Sequence, residues 1–393
     1  MTPCPCCSAS LDPPFYTGPP VPVHSCLMLD TAAEARAFAT GPVVLAACPA
    51  CGFVTNTAFD PKWSAYAPNY EDQQSFSPTF SRYAVELARD LVSRHDLIGK
   101  RAVEIGCSKG DFLYLLASEG RMRGVGIDPS ALPGRVAKPP QGQFRLIQAL
   151  YDDTHLTLPA DLLCCRHTLE HIGPVAVMLD RMHRHMRRNP GAVLFLDIPD
   201  ATRVWAEGAF EDVYYEHCSY FSPGSLGRAL RGAGFAVTDL RRDYGDQYLS
   251  VEAVLDPAQD RSFAIEEPPD ETARLIARFA DAAEAQKARW RAWLNTASAT
   301  GQRVAIWGSG SKCVSFIKAV AADGHHPALC GIIDINPHRA GKYAPGLGLP
   351  ISAPEALPRL KPDTIVVMNP IYMQEIAARC AGEGWQAELL PLR

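Results

Sequence analysis

The stretch Arg101-Ala-Val-Glu-Ile-Gly-Cys-Ser-Lys-Gly-Asp-Phe112 constrains this chain more than any other. Residues of strand character run into two glycines four positions apart, and an apolar helical pattern follows at once. Glycine lets the backbone come close to a ligand at the end of a parallel strand, beside the N-terminus of the next helix. The following strand, Gly124-Val-Gly-Ile-Asp128, ends in an acid eighteen positions after Gly110, where a carboxylate can accept from both hydroxyls of a ribose. With Glu104 preceding the loop, this spacing favours S-adenosylmethionine over a nicotinamide cofactor. It marks Glu104, Gly106, Ser108, Gly110 and Asp128 as cofactor-binding candidates.

Around this unit the apolar pattern alternates between short strands and helices. Strands are expected at 101–105, 123–127, 161–165, 192–197, 235–240 and 247–254, giving a doubly wound α/β domain that ends in an antiparallel edge. A long amphipathic run from Glu271 to Leu294 reads as a connecting helix. Beyond it, Arg303-Val-Ala-Ile-Trp, the turn Gly308-Ser-Gly-Ser-Lys312, and strands near 328–334 and 363–368 repeat the strand–turn–helix–strand pattern of a second α/β unit. At 393 residues, a division at 1–75, 76–257 and 258–393 is expected.

The first seventy residues are rich in cysteine, proline and aromatic residues without a long helical period, so they need a staple from outside the hydrophobic effect. Cys4-Pro-Cys-Cys7 and Cys48-Pro-Ala-Cys51-Gly put two thiolates on each of two tight turns, which is the chemistry of a closed, structural zinc site. Cys4, Cys7, Cys48 and Cys51 are the expected ligands, with Cys6 competing for the place of Cys7 and Cys26 to spare. Thirteen cysteines, an odd number, suit a disulfide framework poorly and a cytoplasmic location better. The N-terminus has neither the basic segment nor the apolar core of a signal peptide. The uncharged run 37–59 holds prolines, glycines and Cys48 and Cys51, which fit a metal knuckle and not a lipid-facing helix. A net charge of −5 gives no reason to expect nucleic acid or an anionic membrane as partner.

Two further clusters carry chemistry. The expected strand 161–165 leads into Arg166-His167-Thr-Leu-Glu170-His171, at the carboxyl end of the sheet where open α/β folds bind ligands; His167 is grouped with the cofactor candidates, and His171 is expected to face the site. Tyr214-Tyr215-Glu216-His217 is the most unusual polar cluster: a histidine can remove a proton at neutral pH, a neighbouring carboxylate can orient it, and a tyrosine can hydrogen-bond an enolate oxygen. In the last unit, Gly308, Ser309 and Lys312 can cradle a diphosphate, although the turn lacks the residue order of a P-loop.

The order of these pieces resembles the deoxysugar C-methyltransferases along nearly the whole chain, through Cys48-Pro-Ala-Cys-Gly, Val103-Glu-Ile-Gly-Cys-Ser-Lys-Gly-Asp-Phe and Ile333-Asp-Ile-Asn-Pro-His-Arg-Ala-Gly-Lys-Tyr-Ala-Pro-Gly346. The resemblance implies a class I methyltransferase Rossmann-like central domain, a small N-terminal zinc-binding domain and a C-terminal Rossmann-like domain. Tyr214, Glu216 and His217 match a Tyr-His-Glu-His segment in which Tyr215 replaces the first histidine; His171 and Lys312 match as well. Gly245-Asp-Gln-Tyr248 departs from the family's Gly-Gly-Ser, and Cys313 stands where a glycine is usual. The expected reaction is methylation of a carbon next to a ketone in a nucleotide-linked keto sugar. In it His217 is the base, Glu216 its orienter, Tyr214 and His171 oxyanion partners, and Tyr215 and Gln247 substrate contacts. Alternatives are an O- or N-methyltransferase, a nucleotide-binding oxidoreductase relying on Asp334, and a non-catalytic binding protein.

Overall fold

The computed structural model describes residues 2–63, 66–321 and 323–393. Three sheets organise them. The central one has seven strands in the order Ala236–Asp243, Tyr248–Val254, Val193–Pro199, Leu162–Arg166, Arg101–Ile105, Arg123–Ile127, Gln143–Ile147. Five run parallel, and the hairpin 236–254 closes one edge antiparallel, as the sequence pattern implies. Residues 162–165 are a continuous apolar run because helices cover both faces of the sheet at that point; these residues and Arg166 after them are buried. The strand at 143–147 escapes the sequence reading: at the far edge Gln143 and Arg145 stay in water, so no apolar run marks it.

Local chemistry places the helices. Ser77 caps Pro78–Arg94 by accepting from the Phe80 N–H, and Phe80, Ala84, Leu87, Ala88 and Leu91 then fall on one buried stripe. Gly110, at φ 94°, makes the left-handed turn that starts Asp111–Gly120. The connecting helix is longer than the sequence suggests, Pro269–Ala299, with Ile276, Phe279, Ala283, Trp290 and Leu294 buried along one face. It packs Phe279 edge-on to Tyr16 and Trp205, and Trp290 edge-on to Phe316, so one helix touches all three parts of the chain.

The C-terminal sheet is parallel throughout, ordered Ile351–Ser352, Leu329–Ile333, Val304–Trp307, Thr364–Val367, Glu388–Pro391. Its two outer strands carry too few apolar positions to be read locally.

The N-terminal stretch is less loop-rich than its composition implies. Tyr16–Pro22, Thr40–Ala47 and Val54–Asn56 form an antiparallel sheet, and its fourth strand is Ser219–Tyr220 from the middle of the chain. The uncharged run 37–59 is therefore mostly these two inner strands and their knuckle. Gly41 lies so close under the Tyr215 ring that a Cβ there would sit 2.2 Å from a ring carbon. Gly41→Ala should lower stability by roughly 1–3 kcal/mol through overpacking, read as a fall in the denaturation midpoint; an unchanged midpoint would show that Tyr215 does not hold this sheet against the central domain.

Candidate active site

In an open parallel sheet the strand order reverses at one point, and the crevice outside the strand ends there receives ligands. The central sheet reverses between Arg101–Ile105 and Leu162–Arg166, the C-terminal sheet between Val304–Trp307 and Thr364–Val367. Both reversal points open onto the same cavity of about 990 Å³: Gly106 and His167 line it from one side, Gly308 and Asn369 from the other. The stretch Tyr66 to Ser77 forms part of its wall.

On the central side, Gly106 (φ 69°) passes so close to Thr168 that a Cβ would lie 2.0 Å from the hydroxyl oxygen. Asp128 accepts from the Ser108 N–H at 2.8 Å and the Ser130 N–H at 2.6 Å, which tethers the loop to the end of the neighbouring strand. Glu104 is 3% exposed and its Oε2 has no partner; burial pushes its carboxyl up to about 8 although the Arg166 charge pulls it down. His167 is held at φ 46°, its Nε2 buried without a hydrogen-bond partner and 3.6 Å from Asp197, and burial lowers it to about 4. Gly110 departs from expectation: it sits under Phe144 and Leu146, off the cavity, and serves the helix start alone.

Residues with no local motif complete this half. Asp72 accepts from the Ser108 hydroxyl, Gln73 donates to Asp111 at 2.8 Å, and Arg135 pairs with Glu71 at 2.5 Å. Lys109 is fully buried and donates to the Ser130 and Pro68 carbonyls at 2.7 and 3.3 Å. The stretch from Pro68 is thus fastened over the glycine loop by charge-assisted bonds that only the folded chain reveals.

Between the halves lie the imidazoles. The His171 and His217 rings meet edge to face with centroids 4.7 Å apart. Tyr214 Oη is 2.7 Å from His217 Nε2, and Tyr66 Oη 2.9 Å from His171 Nδ1. Burial, then the neighbouring His171, His167 and Lys312, hold His217 well below the usual imidazole value, so its ring is neutral at pH 7. Glu216 does not orient it. The Glu216 carboxylate turns the other way, to His24 Nδ1 at 3.0 Å and the Ser25 N–H at 2.7 Å. Glu170, beside this cluster, has a buried unpartnered Oε2, and burial raises its carboxyl to about 8.

On the C-terminal side two expected contacts point elsewhere. Tyr215 is packed over Gly41 with its hydroxyl accepting the Asp60 N–H at 2.7 Å, away from the cavity that its neighbour Tyr214 lines. Ser309 is fully buried and spends its N–H and hydroxyl on Asp334. Gly308 and Lys312 do line the cavity, but the Lys312 ammonium is paired with Asp212 at 2.8 Å. Gln247 lines it too, its side-chain amide accepting a hydrogen bond from Asn369 at 2.8 Å and donating one back at 3.2 Å. Away from the cavity chemistry, one ligand atom from each of Cys4, Cys7, Cys48 and Cys51 lies within 4.8 Å of the others, while Cys26 is by Arg339 and Ser311.

Residues 80–240 match a family profile described as a methyltransferase domain, and residues 264–389 match another described as a C-methyltransferase C-terminal domain. The chain is an S-adenosylmethionine-dependent methyltransferase. It is 26% identical to C-methyltransferase NovU of Streptomyces niveus over 310 residues, 75% of this chain and 72% of that protein. Among solved structures, magnesium protoporphyrin IX methyltransferase of Synechocystis PCC 6803 with bound SAH overlays with a TM-score of 0.35 at 17% identity, over 48% of this chain and 91% of that one. A SAM-dependent methyltransferase of Aquifex aeolicus gives 0.34 at 16% identity, over 50% and 100%. Among the described residues, no helix of the methyltransferase is long and apolar enough to cross a membrane.

The glycine-loop side of the methyltransferase fits the methyl donor on its own geometry. Gly106 leaves the space a Cβ would fill, Glu104 offers an unused buried acceptor, and Asp128 stands at the adjacent strand end. Gly106→Ala combines a left-handed φ with a steric clash at Thr168, and should weaken S-adenosylmethionine binding at least about tenfold, a change of ~1.4 kcal/mol. Titration calorimetry on folded variant would read it; an unchanged dissociation constant would place the donor elsewhere.

Proposed function

We propose that this methyltransferase methylates a carbon next to a ketone, in a nucleotide-linked 4-keto deoxysugar, through an enolate. What carries the reading is a neutral imidazole, His217, bordered by a second imidazole and a tyrosine, in the cavity shared by two strand-order reversal points. The resemblance to C-methyltransferase NovU supports carbon as the acceptor. S-adenosylmethionine supplies an electrophilic methyl on a sulfonium. Asp128 and Glu104 would hold it by its polar groups at the central strand ends, in the cavity that the imidazoles also line.

His217 takes the α-proton, and the electron pair of that C–H bond passes into the carbonyl as an enolate. Tyr214 and His171 direct hydrogen-bond donors at the developing oxyanion. The enolate carbon then forms a bond to the methyl as the S–CH₃ bond breaks, so the negative charge of one partner and the positive charge of the other vanish together. The proton remains on His217 until it passes to solvent. Gly308 and the N-terminus of the helix Ser311–Val320 face the cavity and suit the diphosphate.

The oxidoreductase alternative loses its ribose partner. Asp334 already accepts from the Ser309 N–H and hydroxyl and from Arg339 at Oδ2, and from the Asn336 N–H at Oδ1, which leaves too few acceptor sites for both hydroxyls of a ribose.

The four clustered cysteines have the donor set and closeness of a tetrahedral zinc site, which would tie the start of the chain to the 48–52 turn. The methyltransferase should carry one zinc per chain by elemental analysis, and Cys48→Ser should release it and lower the unfolding temperature; metal-free protein of unchanged stability would exclude the staple.

His217→Ala should abolish methylation and, in heavy water without the methyl donor, stop exchange of the substrate's α-proton, while donor affinity stays within about threefold. Because the ring must be unprotonated to act and burial depresses its value, the acid limb of kcat/KM should fall below pH 6.5. Persisting exchange in the variant, an acid limb above 6.5, or a new methyl found on oxygen or nitrogen by NMR would each refute this assignment.

A further inference from the structure

One carboxyl in the cavity has no part in the enolate step. Glu170 is 3% exposed, yet it lines the cavity and its Oε2 has no hydrogen-bond partner. A buried polar atom of this kind is rare in a folded chain and calls for a ligand that satisfies it. Its neighbours are the two imidazoles. One carboxylate oxygen of Glu170 and one ring nitrogen each of His171 and His217 all lie within 4.8 Å of one another.

The backbone fixes this grouping. Glu170 and His171 sit on the short turn Leu169–His171, while His217 comes from a segment later in the chain. The Cys218 thiol donates to the Glu170 carbonyl at 3.7 Å and the Ser219 hydroxyl to the Ile172 carbonyl at 2.7 Å, which pins the two pieces together beside the cluster. A tyrosine hydroxyl stands against each ring, Tyr66 Oη 2.9 Å from His171 Nδ1 and Tyr214 Oη 2.7 Å from His217 Nε2. When that nitrogen carries the ring proton, the tyrosine oxygen accepts it and the other nitrogen presents its lone pair. Hydrogen-bond partners of this kind orient imidazoles that bind metal.

Two imidazoles and a carboxylate are the donors that a divalent ion such as zinc takes, whereas magnesium and calcium prefer shells of oxygen. Around zinc at ordinary bond lengths such donors stand about 3.3 Å apart. Atoms within 4.8 Å of one another close on the ion by shifts of under about 1 Å each.

We propose that Glu170, His171 and His217 form a second metal site of this protein, for a divalent ion of the zinc class, and that its occupation switches methylation off. Binding stands on the geometry alone. The switch rests on the enolate reading, because the lone pair that ligates the ion is the one His217 needs for the α-proton. Burial keeps a proton on Glu170 up to about pH 8, and the ion displaces it to solvent. That displacement and the movement of the donors both subtract from affinity, so dialysis removes this ion while the four cysteines keep theirs.

The probe is cobalt(II) chloride, added to dialysed full-length protein. One equivalent should bind with visible absorption bands and no thiolate charge transfer in the ultraviolet; cobalt at the four cysteines would show that charge transfer, so the two sites read out separately. Glu170→Gln should weaken the binding at least about tenfold, the least that loss of even an outer partner of a metal ligand costs. His171→Phe should do the same and replaces it if the first variant fails to fold. Absence of these bands in the unaltered protein, or unchanged affinity in the folded variants, overturns the site and leaves the enolate reading standing.

Zinc chloride at ten times its dissociation constant should leave about a tenth of the methylation rate, with full recovery on dialysis, and Glu170→Gln should raise the zinc concentration for half inhibition about tenfold. In heavy water the same ion should stop exchange of the α-proton of a nucleotide-linked keto sugar. Stopped exchange supports both the site and the base. Cobalt or zinc that binds while exchange continues unchanged removes the switch, and with it His217 as base.

Discussion

A two-residue strand holds the active site together. Ser219 and Tyr220 pair with Thr55 and Val54, the Cys218 carbonyl accepts from the Asn56 N–H at 3.0 Å and the Thr55 hydroxyl at 2.9 Å, and the Ser219 hydroxyl donates to the Ile172 carbonyl at 2.7 Å. This anchor immediately follows His217. As the proposed base, His217 needs rigid neighbours to meet a reacting atom, and here they are borrowed from another sheet. The 214–217 segment has no regular structure of its own, so its bonds to the N-terminal sheet and to His24 define where its imidazole sits.

Around that anchor the interior is electrically costly. Glu104, Glu170 and Asp197 each bury a carboxylate oxygen without a partner, and His24 and His167 each bury a bare ring nitrogen. Most buried polar groups in folded chains are paired, so a concentration of unpaired ones around a cavity marks a place kept ready for other molecules. The stable parts of the fold offset this cost: the helix Pro269–Ala299 and the aromatic contacts of Tyr16, Trp205, Phe279 and Phe316 lie away from the cavity and bind the sheets to one another.

Much of the scaffold was legible because its signals are local. The runs 101–105 and 123–127 have strand character and are followed by Gly106 and Asp128, and the pattern breaks where the turns are. Strands at sheet edges were not, since Gln143–Ile147 is half in water and Glu388–Pro391 is four residues long. In the site, His171 and His217 could be named in advance, but not the direction of their neighbours. Tyr215 and Ser309 flank cavity residues in sequence, yet the turns they sit in direct one to Asp60 and the other to Asp334. Asp72, Tyr66 and His24 carry no motif at all; each acquires its role from a partner at least thirty-odd positions away.

The amino-acid sequence alone determined which chemical groups are present and the local geometry that backbone preferences impose: glycine turns after strands, an acid at the next strand end, cysteines in pairs. Only the tertiary structure decided which groups face each other, because that follows from burying apolar faces of distant segments together and from satisfying the buried charges this creates. Glu216 illustrates the difference. Its neighbour along the chain is His217, but its carboxylate, sealed from water, lies where His24 and Ser25 supply donors.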